Sequence, residues 1–502
     1  MLEPLTRLVP VLPRIPLNPK IAVSVVFVAA MFMNIMDITI VNVALPTIGH
    51  EFGVKADSLD AVAIGYLVSL AVVIPASGWL GDRFGMRRIL LLAIAIFTLA
   101  SALCGLADSF GQLIAFRVLQ GVGGGMLTPT GTAMLMRTFP PAERVRASSI
   151  LVVPTAFAPA LGPVLGGLLV DTLSWRWVFF VNLPIGIFAL LFGLLCLQEQ
   201  RQEQPGRFDL RGFVLSGVGF AALMYGISEG PSHGWGSPLI LTSIIVGAVL
   251  LVALVITQRR TAEPLLDLKL FSDRLFRSTN AVMFLATAGF LGTLFVVALF
   301  FQNGLGLSPL QSGLSTFPEA LGVMLGAQQA SRLLYPRFGP RRVMLGGLAG
   351  VSVFMLLMST VSFSTDLWVV RVFMFFMGFC MAHCFVPTQA AAFATISGPR
   401  TGRASTLFNA QRQLGSAVGV AVLSSVIAAV GATVTTGGHV TANLNAYHAA
   451  FRVAAVLMLL AAAVTTTIQD ADAAATFRGR RKGAHEPVPQ GDRAGVPALV
   501  TD

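Results

Sequence analysis

The chain of 502 residues carries few charges: 11% of its residues are charged, 55% are hydrophobic, and its mean hydropathy is +0.79. A typical soluble domain has roughly 25% charged residues, so a water-soluble globule of this length could not cover its core with so few. The composition therefore excludes a soluble protein and indicates one that crosses a membrane many times.

Apolar runs along the chain predict fourteen membrane-spanning helices, because one span needs about 20 mostly apolar residues. The predicted helices cover residues 21–45, 59–80, 89–107, 112–136, 148–170, 178–197, 211–229, 238–257, 279–302, 311–331, 342–362, 366–389, 403–430 and 449–468.

The predicted fold is an all-α membrane protein with its helices arranged 6 + 2 + 6. Its parts are a cytoplasmic N-terminal arm (1–20), a six-helix half (21–197), a linker with two inserted helices (198–277), a second six-helix half (278–468) and a cytoplasmic tail (469–502). The arm lacks the apolar core and cleavage site of a signal peptide. The tail is rich in Ala, Arg, Gly and Pro without periodicity, which predicts disorder.

The basic residues indicate the orientation of the predicted helices. With the N-terminus in the cytosol, 28 of the 34 Lys and Arg residues fall in inside loops and termini, and only Lys55 and Arg176 fall in outside loops. Cytoplasmic loops are enriched in Lys and Arg, so this distribution favours fourteen spans with both termini inside. It also argues against nucleic-acid binding as the reason for the net charge of +11, since the charges lie in short loops beside the membrane.

A short basic motif occurs twice in the chain. R-F-G-x-R-R begins at Arg83 and again at Arg337, 254 residues later (337 − 83). Arg117 and Arg371 have the same separation (371 − 117), and three shorter matches keep the same order. The pattern predicts two homologous halves, an organisation that many transporters have, with their sites where the halves meet.

Five motifs follow one another along the first half. They are M-D-I-T-I-V-N-V-A-L-P (36–46), G-W-L-G-D-R-F-G-M-R-R (78–88), R-V-L-Q-G-V-G-G-G (117–125), A-L-G-P-V-L-G-G (160–167) and W-R-W-V-F-F-V-N-L-P-I-G (175–186). In this order and on these helices they resemble the motifs of the fourteen-span drug:proton antiporters of the major facilitator superfamily. Met86 departs from a commonly basic position of that family, and Ser149 and Ala158 replace two glycines.

The resemblance implies the major facilitator fold and a proton-coupled antiporter of the bacterial inner membrane. Such a protein would export hydrophobic or cationic compounds by alternating access. Its partners would be a lipophilic small molecule, protons and membrane lipids, with no nucleic acid, cofactor or metal. The sequence does not indicate whether an envelope adaptor protein takes part.

Two other functions are compatible with the same sequence. An exporter dedicated to one endogenous metabolite, antibiotic or lipid fits the same motifs, as does a facilitator or transporter-like receptor without proton coupling. The chain has no P-loop to bind nucleotide, which excludes ATP-driven export by this chain alone. No motif supports an enzyme.

Asp37 is the acidic residue in the interior of the first predicted helix. A charged carboxylate at the centre of a membrane helix costs roughly 2.5–3.5 kcal/mol on insertion scales, and a low dielectric favours the neutral form. Asp37 is therefore a candidate proton carrier. Asn34 and Asn42 are further candidates for substrate or proton binding, or partners of Asp37 in helix packing. The alternative is a hydrogen-bonding anchor for helix packing.

Arg117, in the fourth predicted helix, is the candidate partner of Asp37. A guanidinium is effectively always charged, so near Asp37 it would favour the carboxylate, and moving away would ease protonation. Gln120 lies one turn further along the same helix and is a further candidate. The alternative for Arg117 is an arginine that snorkels to the outer interface, and a structural role is favoured for Arg371.

Two more charged residues lie within predicted spans and are candidates for substrate or proton binding: Glu319 and Arg412. Facing a central cavity, Glu319 would attract cationic drugs or take part in proton transfer; near the outer interface it would do neither. Arg412 lies in N-A-Q-R-Q-L-G, and similar transporters have a comparable stretch in this helix.

By resemblance, the loop between the second and third helices is a gate. The family positions present in it are Gly78, Asp82, Arg83, Gly85 and Arg87. Asp82 and Arg83 would lock the cytosolic side when the carrier opens outward, whereas the second copy has Pro336 in place of Asp82.

The antiporter-like motif of the fifth helix predicts a face of small residues that lets another helix approach closely. Its residues are Gly162, Pro163, Gly166 and Gly167.

Overall fold

The computed structural model describes residues 16–54, 58–202, 206–436 and 439–477, so most of the predicted N-terminal arm lies outside the described residues. Over these ranges the chain is almost entirely helical. The α-helices are α1 (Pro19–Phe52), α2 (Asp60–Phe84), α3 (Met86–Gly105), α4 (Phe110–Thr138), α5 (Arg144–Thr172), α6 (Trp177–Phe180), α7 (Asn182–Cys196), α8 (Leu210–His233), α9 (Pro238–Arg260), α10 (Arg274–Leu299), α11 (Pro309–Gln329), α12 (Tyr335–Met358), α13 (Leu367–Ala392), α14 (Thr401–Val430) and α15 (Leu444–Thr465).

Shorter elements join or extend these helices. They are 3-10 turns at Pro141–Glu143, Leu268–Ser272, Gly398–Arg400 and Ala474–Thr476, and π-helical turns at Phe300–Gly304 and Ala330–Leu334. A small antiparallel hairpin of β1 (Thr433–Thr436) and β2 (His439–Ala442), absent from the sequence-based expectation, connects α14 to α15.

Several helices begin where a side chain satisfies the free backbone N–H groups of the first turn. The Ser109 side chain accepts from the Gln112 N–H at the start of α4. At the start of α11, Ser308 and Gln311 form a reciprocal capping box, in which each side chain accepts from the other residue's backbone N–H. These polar residues explain why long apolar helices begin at defined points.

Eleven helical stretches in the described ranges are long and apolar enough to cross a membrane. One of them, Gln311–Met358, contains both α11 and α12, while α4 and α5 are not among the eleven. Each of those two helices has 29 residues, about 44 Å at 1.5 Å per residue, which exceeds the roughly 30 Å of a bilayer core. The count of fourteen spans therefore stays a prediction.

The helices form two bundles with the same packing order. In the first, α1 packs on α5, α4 packs on α2 and α3, and α7 packs on α1 and α3. In the second, α10 packs on α14, α13 packs on α11 and α12, and α15 packs on α10 and α12. The bundles meet where α2 contacts α14 and where α5 contacts α11 and α13.

The inserted pair lies beside one of these contacts. Helix α8 packs on α9, on α2 and on α14, so it covers the seam between the two bundles on that side. Helix α9 packs mainly on α8, and most of its large apolar side chains are exposed. The pair is thus an addition at the periphery and leaves the twelve-helix arrangement intact.

Glycines allow the close contact between α1 and α5, as the sequence predicted for a small-residue face. A Cβ added at Gly162 would meet the Thr39 side chain, and one at Gly166 would meet Ile40. Gly167 faces open space, and the Pro163 side chain lies outside the described residues. Two of these glycines therefore serve packing within the first bundle.

Disorder was predicted from residue 469, but the first nine residues of the predicted tail have a defined structure. Residues 469–477 form turns and a 3-10 helix that pack against the second bundle. Arg274 Nη2 lies 2.7 Å from Asp472 Oδ2, and the Tyr335 and Thr476 hydroxyls are 2.6 Å apart. Residues 478–502 lie outside the described residues, so the prediction for them stays as it is.

Candidate functional site

Asp37 lies in the middle of α1 with none of its surface exposed. Its Oδ2 accepts a hydrogen bond from Arg117 Nη1 at 2.5 Å. Its Oδ1 accepts from Gln120 Nε2 at 2.8 Å and from Asn182 Nδ2 at 3.0 Å. Both carboxylate oxygens are therefore held by donors, one of them charged, which satisfies the hydrogen-bonding capacity of a buried carboxyl group.

Arg117 is directed into the first bundle and is 1% exposed. Besides Asp37, its Nη1 donates to Gln120 Oε1 at 2.7 Å and its Nε donates to the Val62 carbonyl at 3.3 Å. Its guanidinium carbon lies 4.4 Å from the centroid of the Tyr66 ring, a cation–π distance. The interpretation of Arg117 as an arginine that snorkels to the outer interface is therefore wrong.

A second layer of polar groups surrounds this pair. Asn182 Nδ2 also contacts Ser101 Oγ at 3.1 Å, and the Ser101 hydroxyl donates to the Phe179 carbonyl at 2.9 Å. The Tyr66 hydroxyl donates to Asn34 Oδ1 at 2.5 Å. The cluster thus joins α1, α2, α3, α4 and α7, and any movement of one of these helices changes the surroundings of Asp37.

The sequence predicted part of this cluster. Asn34 lies beside it through Tyr66 and makes no hydrogen bond with Asp37 among the described residues, and Asn42 is exposed, away from the pair. Asn182, Ser101 and Tyr66 were not predicted. Asn182 lies inside the W-R-W-V-F-F-V-N-L-P-I-G motif, where an amide in an apolar run was the available signal.

Glycines of α4 make room for the cluster. A Cβ at Gly121 would meet the Ser69 side chain and the Tyr66 backbone, and one at Gly124 would meet the Asn34 amide and the Tyr66 hydroxyl. A larger residue at Gly121 would push α2 away from α4, and one at Gly124 would displace the Asn34 amide and the Tyr66 hydroxyl. The glycine run therefore determines how closely Tyr66 approaches Arg117.

A cavity lies between the two bundles, separate from the Asp37 cluster. Helices α1, α4, α5, α10, α13 and α14 line it, with apolar walls that include Phe27, Met31 and Phe408. Its volume is about 40 Å³, enough for a few water molecules and far too little for a drug. Among the described lining residues, Arg412 carries the one charged side chain, next to Asn409.

Glu319 does not face this cavity. It is 3% exposed and lies between α11 and α13, where a Cβ at Gly378 would meet its backbone carbonyl and its Cγ. The structure therefore brings neither Asp37 nor Arg117 near Glu319. No group of three His, Cys, Asp or Glu residues in the described ranges is placed to hold a metal ion.

The predicted gate lies where the bundles are closed against each other. Asp82 is 2% exposed and pairs with Arg137 at the end of α4, its Oδ1 lying 2.6 Å from Arg137 Nη2. Arg83, the other residue of the predicted lock, is exposed and has no ion pair among the described residues, so the partner of Asp82 is Arg137, which the sequence did not predict. A Cβ at Gly402, at the start of α14, would meet the Asp82 carboxylate.

Further contacts close the same end. A Cβ at Gly78 would meet the Gly402 backbone, and the Ser405 hydroxyl donates to the Pro129 carbonyl at 2.7 Å. Arg144 donates to the Phe393 carbonyl across the same junction. Three helices of the first bundle (α2, α4 and α5) are therefore tied to the second bundle at the end that carries the basic loops.

Comparison with protein families agrees with this architecture. A family model described as the Major Facilitator Superfamily matches residues 27–420 and, separately, residues 281–499. The human organic anion transporter MFSD10 (TETRAN) has a similar structure, with a TM-score of 0.65 and 18% sequence identity over 89% of this chain and 100% of that one. The proton:xylose symporter XylE aligns with a TM-score of 0.62 and 15% identity over 89% of this chain and 95% of its own.

Curated relatives are similar over most of the chain. The uncharacterized MFS-type transporter YhcA of Bacillus subtilis is 31% identical over 409 residues, 82% of this chain and 76% of its own. The multidrug resistance protein B homolog of Mycobacterium tuberculosis is 35% identical over 406 residues (80% and 74%), and the putative multidrug resistance protein MdtD of Escherichia coli O157:H7 is 35% identical over 392 residues (78% and 83%). The chain therefore belongs to the Major Facilitator Superfamily and is a multi-pass transporter of the inner membrane rather than an enzyme.

Proposed function

We propose that this transporter exports hydrophobic compounds in exchange for protons by alternating access. In this proposal the chain has fourteen spans and both termini lie in the cytosol. The distribution of Lys and Arg supports the orientation, because the basic loops all fall at one end of the helices. Relatives named as multidrug resistance proteins support the class of substrate.

The observation that carries the proposal is the buried pair of Asp37 and Arg117. Proton uptake by Asp37 removes the negative charge that faces Arg117, and an uncompensated buried charge is strongly unfavourable. The pair lies on α1 and α4, the helices that also contribute Phe27 and Thr128 to the cavity. A proton taken up at Asp37 therefore changes the helices that shape the cavity, which couples protonation to its opening.

The structure is closed at the end with the basic loops, which corresponds to one state of the proposed transport cycle. The Asp82–Arg137 pair and the Ser405–Pro129 hydrogen bond hold the bundles together at the proposed cytosolic side. Substrate can enter from the cytosol only after these contacts separate. Because the cavity is too small for a drug in this state, loading and release belong to states in which the bundles rock apart.

The cavity lining favours some charges over others. Arg412 places a positive charge among apolar, hydroxyl and amide groups, and the carboxylate of Asp37 is shielded from the cavity by its own partners. A cationic compound would be repelled by Arg412 at close range in a low dielectric. The proposed substrates are therefore neutral or anionic lipophilic compounds in preference to the cationic compounds that the sequence analysis included.

The proposal is tested with inverted membrane vesicles and an imposed proton gradient. We expect Asp37→Asn to abolish gradient-driven uptake of a fluorescent lipophilic compound, because the amide cannot exchange a proton. The control is Asp108→Asn, the same chemical change at an exposed turn, which should transport like wild type. If Asp37→Asn is expressed normally and still takes up compound in response to the gradient, proton coupling through Asp37 is wrong.

A further inference from the structure

A groove opens at the side of the second bundle, between three of its helices. It has a volume of about 270 Å³ and lies between the end of α11, the adjoining π-helical turn, α12 and α13. Its lining includes Phe338, Arg342, Gly346, Cys380 and His383. The groove belongs to neither the Asp37 cluster nor the cavity between the bundles.

The groove begins at the start of α12. Arg342 lies two residues after Pro340, where α12 resumes beyond the non-helical Gly339, so it marks the membrane interface. Gly347, the groove residue furthest along α12, lies five residues after Arg342, about 7.5 Å at 1.5 Å per residue, and a Cβ added there would meet His383. Half of a bilayer core is about 15 Å, so the groove reaches from the interface about halfway through one leaflet.

The mouth of the groove is strongly basic. Four exposed arginines lie within eleven residues of chain: Arg332, Arg337, Arg341 and Arg342. None of them takes part in an ion pair among the residues described. The nearby Asp470 carboxylate accepts a hydrogen bond from the backbone N–H of Arg341 at 3.0 Å. Unpaired basic groups between helices at the cytoplasmic interface attract anionic lipid headgroups.

Two positions of the groove have different surroundings at the corresponding positions of the first bundle. By the offset of 254, Arg342 corresponds to Arg88, whose Nε lies 3.6 Å from Glu199 Oε2. Gly346 corresponds to Leu92, a bulky side chain that is half exposed. At these two positions the first bundle therefore has a paired arginine and a bulky side chain, so the lining of the groove in the second bundle does not follow from the repeat.

We propose that this groove binds one anionic phospholipid of the cytosolic leaflet, with an acyl chain against Gly346 and Cys380 and the headgroup phosphate at Arg342. The leaflet rests on the orientation proposed above, while binding itself does not depend on transport. Polar contact deeper in the groove comes from His383, whose Nε2 lies 3.0 Å from Gln329 Oε1. Arg342 thus gives the groove a charged end, and Gly346 and Cys380 belong to its apolar wall.

Cys380 is a natural reporter of occupancy, because Cys104, Cys196 and Cys384 are buried. The full-length protein in detergent micelles is titrated with phosphatidylglycerol or with phosphatidylcholine, and the rate at which a membrane-permeable maleimide labels Cys380 is followed by peptide mass spectrometry. We expect phosphatidylglycerol to slow labelling and phosphatidylcholine to have little effect. Arg342→Gln should raise the phosphatidylglycerol concentration needed about fivefold, the effect of one basic residue at an anionic surface.

Two further variants keep the test decisive. Arg260→Gln removes an exposed arginine at the end of α9 and should leave protection unchanged. Gly346→Leu reproduces the first bundle's residue at a position where an added Cβ meets open space, and it should abolish the dependence on phosphatidylglycerol. Protection by phosphatidylcholine, protection by inorganic phosphate alone, equal loss in Arg260→Gln, or no protection by either lipid would each overturn the proposal.

Discussion

The two copies of the basic turn, residues 83–88 and 337–342, share a backbone conformation. Gly85 has a φ of 105° and Gly339 a φ of 76°, a region that other residues rarely adopt. In each copy an added Cβ at the glycine would meet an acidic side chain, Glu199 in the first and Asp470 in the second. Those acids follow α7 and α15, the last helices of the two bundles.

The acids also make the same hydrogen bond. The Arg87 backbone N–H donates to Glu199 Oε1, and the Arg341 backbone N–H donates to Asp470 Oδ1, each at 3.0 Å. A sharp turn before a helix leaves backbone N–H groups free, and a carboxylate satisfies them. The fold therefore needs this turn twice, once in each bundle.

The side chains of the two copies differ. In the first, Asp82 pairs with Arg137 and lies against the start of α14, so this copy connects the bundles. In the second, Pro336 stands in place of Asp82 and the arginines face outward. The comparison teaches that the same backbone turn carries a contact between the bundles, the proposed gate, in the first copy and an open basic surface in the second.

A second pair of symmetric residues differs in the same way. Arg117 is buried against Asp37, whereas Arg371 is partly exposed and stacks over the Trp368 ring at 4.8 Å. No acidic partner for Arg371 is present in the described part of the second bundle. Of these two symmetric arginines, only the one in the first bundle therefore forms a buried ion pair.

The largest expected difference is between Arg117→Gln and Arg371→Gln. The first change leaves Asp37 buried without its cation, which is strongly destabilising for a charged carboxylate, so we expect gradient-driven transport in vesicles to be lost. The second removes a cation–π contact worth about 0.5–1 kcal/mol, so transport should stay near wild type.

Arg117→Lys sharpens this comparison. It retains the charge but cannot hold Asp37, Gln120 and the Val62 carbonyl together, so it should transport at an intermediate rate. Equal losses in the two Arg→Gln variants would mean that both arginines serve only the general stability of the bundles.

An intermediate effect is expected at the gate. Asp82→Asn removes the charge that pairs with Arg137 and should slow transport severalfold without preventing insertion, while Pro336→Ala should be tolerated. Transport of a lipophilic dye and protein abundance in the membrane are measured together. Similar transport defects in both variants at equal abundance would contradict the separation into a gate and a surface.

The sequence predicted the class of fold and the main charged pair for physical reasons. Long apolar runs have few alternatives to membrane helices, and an acid in such a run needs a partner, which pointed from Asp37 to Arg117. The sequence could not identify the uncharged side chains that contact this pair. Tyr66 reaches the pair because the glycines of α4 let α2 approach closely, and Asn182 reaches it from α7, which packs on α1 and α3. Such convergence of helices has no signature in one chain segment.

The ion-pair partner of Asp82 was also not predictable from the sequence. Asp82 and Arg83 are adjacent in the chain, but neighbouring residues of a helix point in different directions. Arg137, at the far end of α4, reaches Asp82 instead. Likewise, residues 469–477 lack apolar periodicity, yet Asp470, Asp472 and Thr476 each find a specific partner on the second bundle.

The smallest expected effect tests whether the two turns share their backbone requirement. An alanine in either glycine's conformation stores about 1–3 kcal/mol of strain, and its Cβ would meet Glu199 or Asp470. Gly85→Ala and Gly339→Ala should therefore lower the Tm of the purified protein by similar amounts. The control is Gly346→Ala, in a helix with open space, which should leave the Tm unchanged or raise it slightly. If only Gly85→Ala lowered the Tm, the second turn would not be held by its backbone, and the two copies would differ in fold as well as in partners.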